Sequence, residues 1–163
     1  MSDTPIDPAE FRKVLGNYPT GVAAITTIDA EGGPVVLVVG TFSSVSLDPP
    51  LVSFMPTKTS YAWQMIEKTG KFAVNIFGSD QVALCGQLAG RGDKFAGVGY
   101  TTTERGLPLL DGVIATIECT IAGVIEAGDH QFVLGAVQTL AVQREGDPMV
   151  FFKGQYGGFA APA

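Results

Sequence analysis

Between residues 40 and 50 the chain reads GTFSSVSLDPP, with the hydroxyls of Thr41, Ser43, Ser44 and Ser46 placed directly after the apolar run VVLVV. A strand half-buried against a core alternates apolar and polar residues, so hydroxyls on both faces suit an irregular segment better than such a strand. Each hydroxyl can donate and accept, and an irregular main chain adds N–H groups, a set that can engage a polar planar ligand. A polar loop satisfied by its own turns uses the same residue types, and residue types alone leave both readings open.

Three further stretches carry chemistry. MPTKTSYAW (55–63) combines Thr57, Lys58, Thr59 and Ser60 with the start of an expected helix, where unpaired N–H groups favour an anion such as phosphate; ordinary helix capping explains the same residues. GRGDKF (90–95) sets Arg91 and Lys94 in a Gly-rich turn, suited to phosphate or simply to solvent. AGDHQF (127–132) places the only histidine, His130, at a β-turn, where imidazole is accessible to a carboxamide or phosphate. No Ser/His/Asp or Cys/His ordering supports a hydrolase, and no G-x-G-x-x-G stands between a strand and a helix, which disfavours a Rossmann site. Cys85 and Cys119 form no C-x-x-C and read as buried free thiols; with one histidine and no clustered carboxylates, no metal centre is expected.

The elements that must position these residues are mostly strands. Asp7, Pro8 and Glu10 predict a short helix start, followed by an apolar face of Phe11, Val14 and Leu15 and a stop at Gly16. Residues 21–28 and 34–40 predict a hairpin across DAEGG, and 51–55 another strand. Thr59 or Ser60 caps a helix ending near Gly70, 71–77 returns as a strand, and Ser79 caps a second short helix. Residues 90–112 read as mostly a long surface connection. Two long β stretches (115–130 and 131–143) and a last short strand (149–153) complete the chain. Many strands with few helices predict a closed antiparallel barrel with helical attachments, because closure removes exposed edges.

Composition narrows the class. At 163 residues and 17.0 kDa the chain fits one domain, 1–163. Apolar residues make up 46% and charged ones 16%, against disorder. Net charge is −6 with scattered cations, which argues against nucleic-acid binding. No apolar run approaches the roughly 18 residues of a spanning helix, and MSDTPIDPAEF lacks the regions of a secretory signal, so no membrane partner and a cytoplasmic location are expected.

Taken together, FRKVLGNYPTGVAAITT, GTFSSVSLDPPLVSF, KFAVNIF, DKFAG, GDHQFVLGAV and FFKGQYGG resemble, in order and over residues 10 to 158, the flavin reductase-like family of small NAD(P)H:flavin oxidoreductases that serve two-component monooxygenases. The resemblance implies a mainly β fold, a Greek-key split β-barrel of the FMN-binding type with a few short peripheral helices, and a homodimer with flavin near the subunit interface. It implies FMN or FAD and NADH as cofactors; NADPH stays open, although no Arg cluster marks a 2′-phosphate site. By the same resemblance Val39, Gly40, Thr41, Phe42, Ser43 and Ser46 lie along the isoalloxazine ring. Met55, Pro56, Thr57, Thr59 and Ser60 approach the ribityl chain and phosphate, joined by Lys94 and Phe95. His130, Lys153, Gly154 and Tyr156 meet the nicotinamide dinucleotide.

Many members have Asn-Ser or a similar pair where this chain has Gly40-Thr41, and a glycine there implies a lost side-chain contact, a closer main-chain approach and an altered flavin preference. The activity implied is hydride transfer from nicotinamide to flavin and delivery of the reduced flavin to a separate monooxygenase, with no side chain in a strictly catalytic role. The alternative is a flavin-binding module, for storage or sensing, without NAD(P)H turnover.

Overall fold

The computed structural model describes residues 5–162. Helix α1 (Pro8–Leu15) starts as its sequence dictates: the Asp7 carboxylate accepts the Ala9 N–H at 3.1 Å, and Pro8 fills a position whose N–H has no helical partner. It ends at Gly16 with φ −61°, still right-handed, and the Asn17 side chain donates to the carbonyls of Lys13 and Val14. β1 (Thr20–Gly21) precedes the hairpin of β2 (Ala23–Ile28) and β3 (Pro34–Val39). In its turn the Asp29 carboxylate accepts the N–H groups of Glu31 and Gly33, and Gly32 takes the left-handed φ of +83°.

β4 (Ser43–Leu47) and β5 (Pro50–Phe54) form a second hairpin. α2 (Tyr61–Thr69) is capped by Ser60, whose Oγ accepts the Trp63 N–H at 3.3 Å, and closed by Gly70 at φ +67°. After β6 (Lys71–Ile76), a 3₁₀ turn over Ser79–Gln81 leads into α3 (Val82–Ala89). Ser79 does not cap it: the Gln81 side chain accepts the Gly78 N–H instead.

The expected surface connection contains two strands, β7 (Tyr100–Thr102) and β8 (Pro108–Leu110). Leu107 and Leu110 are buried, and the hairpin is held from below by polar groups. Thr26 Oγ1 donates to the Pro108 carbonyl at 2.6 Å, and Asn75 accepts the Leu110 N–H while donating to the Ala24 carbonyl and the Thr26 hydroxyl. These buried side chains give the Pro108 carbonyl and the Leu110 N–H partners, which lets part of so polar a segment lie against a core. The long strands β9 (Ala115–Ala127) and β10 (His130–Val142) follow, then β11 (Val150–Phe152) and β12 (Gln155–Gly157), the last strand not anticipated from sequence.

The main sheet is antiparallel throughout, in the order β3-β2-β6-β9-β10-β5-β4. It stays open, with β3 and β4 as its edges, so the closed barrel expected from strand content is corrected to the split form. β1-β11-β12 make a small separate sheet. The apolar run 22–25 at the start of β2 is buried on both faces: Ala23 and Ile25 belong to a core with Phe54, Trp63 and Phe72, while Val22, just before the strand, and Ala24 belong to another with Phe77, Cys85, Leu88 and Met149. In the first core Phe72 packs edge-on against Phe54 at 5.0 Å. A Cβ on Gly135 would lie 2.5 Å from the Phe72 ring, so only glycine lets β10 cross there. Among the described residues no helix is long and apolar enough to cross a membrane.

Candidate functional site

The hydroxyl-rich stretch is a strand after all, but an edge strand. β4 pairs only with β5, and a bulge between Ser44 and Ser46 breaks the alternation that a half-buried strand would show. Its outer edge therefore presents main-chain donors and acceptors beside the exposed Ser43 and Ser44 and the half-buried Ser46. Thr41 fastens the approach to β4, its Oγ1 accepting the Met55 N–H at 2.9 Å. Phe42 packs half-buried against the first core, and Val39 is fully part of it, so Val39 offers a ligand only its main chain. At Gly40 a Cβ would lie 2.6 Å from Thr20 Oγ1; the glycine makes room for Thr20, rather than for a closer approach toward a ligand.

The loop from Met55 to Ser60 meets the His130 turn directly. Thr57 and His130 form an isolated antiparallel bridge, the Gln131 N–H donates to the Pro56 carbonyl at 3.0 Å, and the Lys58 N–H donates to the Asp129 carbonyl at 3.1 Å. Side chains reinforce the joint. The buried Trp63 indole donates to the Gln131 side-chain carbonyl, Gln131 Nε2 donates to Glu126 at 2.7 Å, and Glu126 pairs with Lys58. The hydrogen bond from His130, with its charge, holds the Asp129 carboxyl below its ordinary range. A carboxylate can only accept, so the 2.8 Å contact makes His130 Nδ1 the donor and leaves Nε2 to meet a ligand.

Ser60, Lys94 and Phe95 come together in one pocket of about 420 Å³, between the start of α2, β3 and the 92–95 turn. Lys94 is half-buried, the Ser60 hydroxyl keeps its proton to donate, and α2 has no acidic residue in its first turn. That combination suits a phosphate. Thr59 is exposed on the loop before it.

Lys153, Gly154 and Tyr156 stand apart from this pocket. Lys153 and Gly154 make the β11–β12 turn at φ +49° and +79°, with the Lys153 N–H donating to the Gly16 carbonyl. Lys153 and Gly154 share a groove with Arg12, Lys13 and Asn17 of the α1 end. Tyr156 lines the neighbouring hollow with Pro19 and Phe152, its ring 5.2 Å from that of Phe151. Sequence reading missed Glu126, Gln131 and Tyr61. Gln131 joins the site only through Trp63 and the β9 turn, which no local spacing encodes; Tyr61 had a signal, standing next to the cap in TSYAW.

The β4 edge thus presents hydroxyls and main-chain hydrogen-bonding groups, and the Ser60–Lys94 pocket presents groups suited to an anion. The open antiparallel sheet with its short peripheral helices defines the class, a mainly β split barrel. More narrowly, the chain belongs to the flavin reductase-like family, whose "Flavin reductase like domain" model matches residues 15–160. It is 47% identical to a flavin reductase of Pseudomonas putida over 96% of this chain and 92% of that protein. It is 46% identical to the reductase subunit HsaB of a flavin-dependent monooxygenase of Rhodococcus jostii, over 94% of this chain and 78% of that one. Among solved structures it is similar to the Streptomyces globisporus NADH:FAD oxidoreductase SgcE6 in complex with NAD and FAD fragments, with a TM-score of 0.89, 32% identity, and coverage of 98% and 99% of the two chains.

Proposed function

We propose that this chain is an NADH-dependent flavin reductase that hands reduced flavin to a separate monooxygenase and works as a homodimer. The observation that carries the proposal is the Thr57–His130 bridge, which sets the loop assigned to flavin against the turn assigned to nicotinamide. When bound, the cofactors supply the chemistry, a hydride passing from the nicotinamide to the flavin.

The protein's part is placement. Ser43 and Ser46 hydroxyls and outer-edge N–H groups of β4 hydrogen-bond the polar rim of the flavin ring and favour negative charge there. Thr57, Thr59, Ser60 and Lys94 hold the ribityl phosphate end, with Met55, Pro56 and Phe95 as apolar walls. His130 Nε2 meets the carboxamide, and Lys153, Gly154 and Tyr156 the rest of the dinucleotide. Relatives that are reductase subunits of monooxygenases support the partner.

Apolar surface supports the dimer. Phe11, Val14 and Leu15 of α1 are exposed at 54%, 60% and 49%, and no residue of that helix is buried. Leu47 at the end of β4 is 96% exposed.

Replacing His130 with Ala tests the assignment. The KM for NADH rises about tenfold while flavin affinity holds, as expected for loss of one hydrogen bond to the dinucleotide. An unchanged KM for NADH removes His130 from the nicotinamide site.

A further inference from the structure

The end of α1 and the β11–β12 turn, from opposite ends of the chain, meet in a groove of about 560 Å³. The Lys153 N–H joins them by donating to the Gly16 carbonyl at 3.1 Å, and the polar side chains that line the groove are those of Arg12, Lys13, Asn17 and Lys153. Three of the ten Lys and Arg of a chain with net charge −6 thus share one hollow that no carboxylate lines. Asp7 and Glu10 line a neighbouring hollow with Lys13. All three cations are exposed, and among the described residues none forms an ion pair. The negative end of the α1 dipole accounts for Arg12 and Lys13 in the last turn. It does not account for Lys153, held at φ +49° as the one non-glycine residue among those described in the left-handed region.

We propose, on the reductase reading above, that this groove docks an acidic segment of a partner protein, the monooxygenase that takes up the reduced flavin. Like charges gathered in one hollow repel each other until an anion joins them. A water molecule occupies about 30 Å³, so the groove has room for several carboxylate side chains rather than one small anion. The rest of the chain, with sixteen Asp and Glu against seven Lys and Arg, repels an acidic partner, so the groove decides where such a partner lands. That repulsion also disfavours a broad anionic membrane surface, whereas a single segment can enter a concave site. With about 3.6 residues per turn, Arg12 and Lys13 stand on the side of α1 away from Phe11, Val14 and Leu15. Docking therefore leaves the apolar face of the helix free for the second subunit.

The test measures binding of a fluorescein-labelled octaglutamate peptide to the full chain by anisotropy, at low salt and at about 0.15 M salt, together with the KM for NADH in the presence of flavin. Arg12→Glu with Lys13→Glu reverses the charge of the groove. Lys68→Glu with Arg105→Glu makes the same change in net charge on exposed residues elsewhere. The wild type binds the peptide at low salt and more weakly at about 0.15 M, the groove pair weakens binding at least about tenfold, and the control pair keeps most of it. The KM for NADH holds in both pairs, and their NADH turnover shows that they are folded.

Equal losses in the two pairs make the attraction a general one and overturn the docking site. A raised KM for NADH in the groove pair alone assigns the groove to the dinucleotide and overturns it as well. Binding to phosphatidylserine vesicles that the groove pair abolishes, with no binding of the peptide, assigns it to a lipid surface with the same result. A wild type that binds no peptide yet oxidises NADH with flavin overturns the docking site and leaves the reductase reading standing; one that oxidises no NADH with any flavin overturns that reading, and the docking of a flavin acceptor with it.

Discussion

Thr57 and His130, far apart in sequence, face each other in an antiparallel bridge that closes the loop before α2 onto the β9–β10 turn. Each belongs to a stretch proposed above to bind a different cofactor, so on that reading the bridge fixes the spacing between two sites rather than building either one. Hydride transfer depends steeply on such spacing, since reacting atoms must approach to about 3–3.5 Å.

The joint depends on Gln131. Replacing Gln131 with Leu leaves the buried Trp63 N–H without its acceptor and should lower stability by about 1–3 kcal/mol, read from urea unfolding. Flavin affinity should fall with it, because the same side chain reaches Glu126 and, through it, Lys58 on the loop. Unchanged stability would show that the indole finds another acceptor.

At Gly40 the effect of a side chain is steric. Gly40→Ala drives a Cβ to 2.6 Å from Thr20 Oγ1 and should destabilise the protein by about 1–3 kcal/mol. Thr20 Oγ1 is buried and, among the described residues, has no hydrogen-bond partner, so adding Thr20→Ala to Gly40→Ala should recover most of the loss. Additive losses in the double variant would contradict that packing.

Stability should fall in alkali through Cys119. Burial, aided by the neighbouring Glu118 carboxylate, pushes its thiol up to about 12 from an ordinary 9.0. Because the folded value is raised, the unfolded chain loses this proton first. The contribution is complete below about 9 and is lost as pH rises toward about 12, by up to about 1.4 kcal/mol per pH unit. Urea midpoints of the wild type should decline over that window more steeply than those of Cys119→Ala; parallel curves would refute the assignment.

The exposed Leu47 and α1 face predict a concentration-dependent assembly. Substituting Leu47→Lys together with Phe11→Glu should convert a dimer into a monomer in sedimentation velocity, with thermal stability becoming independent of protein concentration. A monomeric wild type would contradict the dimer outright.

Elements with strong local signals were legible from sequence: the Asp7–Pro8 start of α1, the Ser60 cap and Gly70 end of α2, and the β2–β3 hairpin across Gly32. β4 was harder, because a bulged edge strand has no clean period to read. The β7–β8 hairpin hid in a polar segment whose burial depends on Thr26 and Asn75, distant in the chain; the apolar LPLL at 107–110 was its one local sign. Whether the sheet closes is decided by edge pairing between β3 and β4, which strand content does not encode. The stretches expected to bind ligands could be picked out one by one. Their meeting at Thr57–His130 and in the Ser60–Lys94 pocket could not, since both depend on tertiary contact.

The most direct test follows the absorbance of NADH with purified protein, with and without added flavin, alongside NADPH. A flavin reductase oxidises NADH at a rate that saturates with added flavin and vanishes without it. Protein that is stabilised by flavin yet oxidises neither nicotinamide would be a flavin-binding module and would contradict the reductase function.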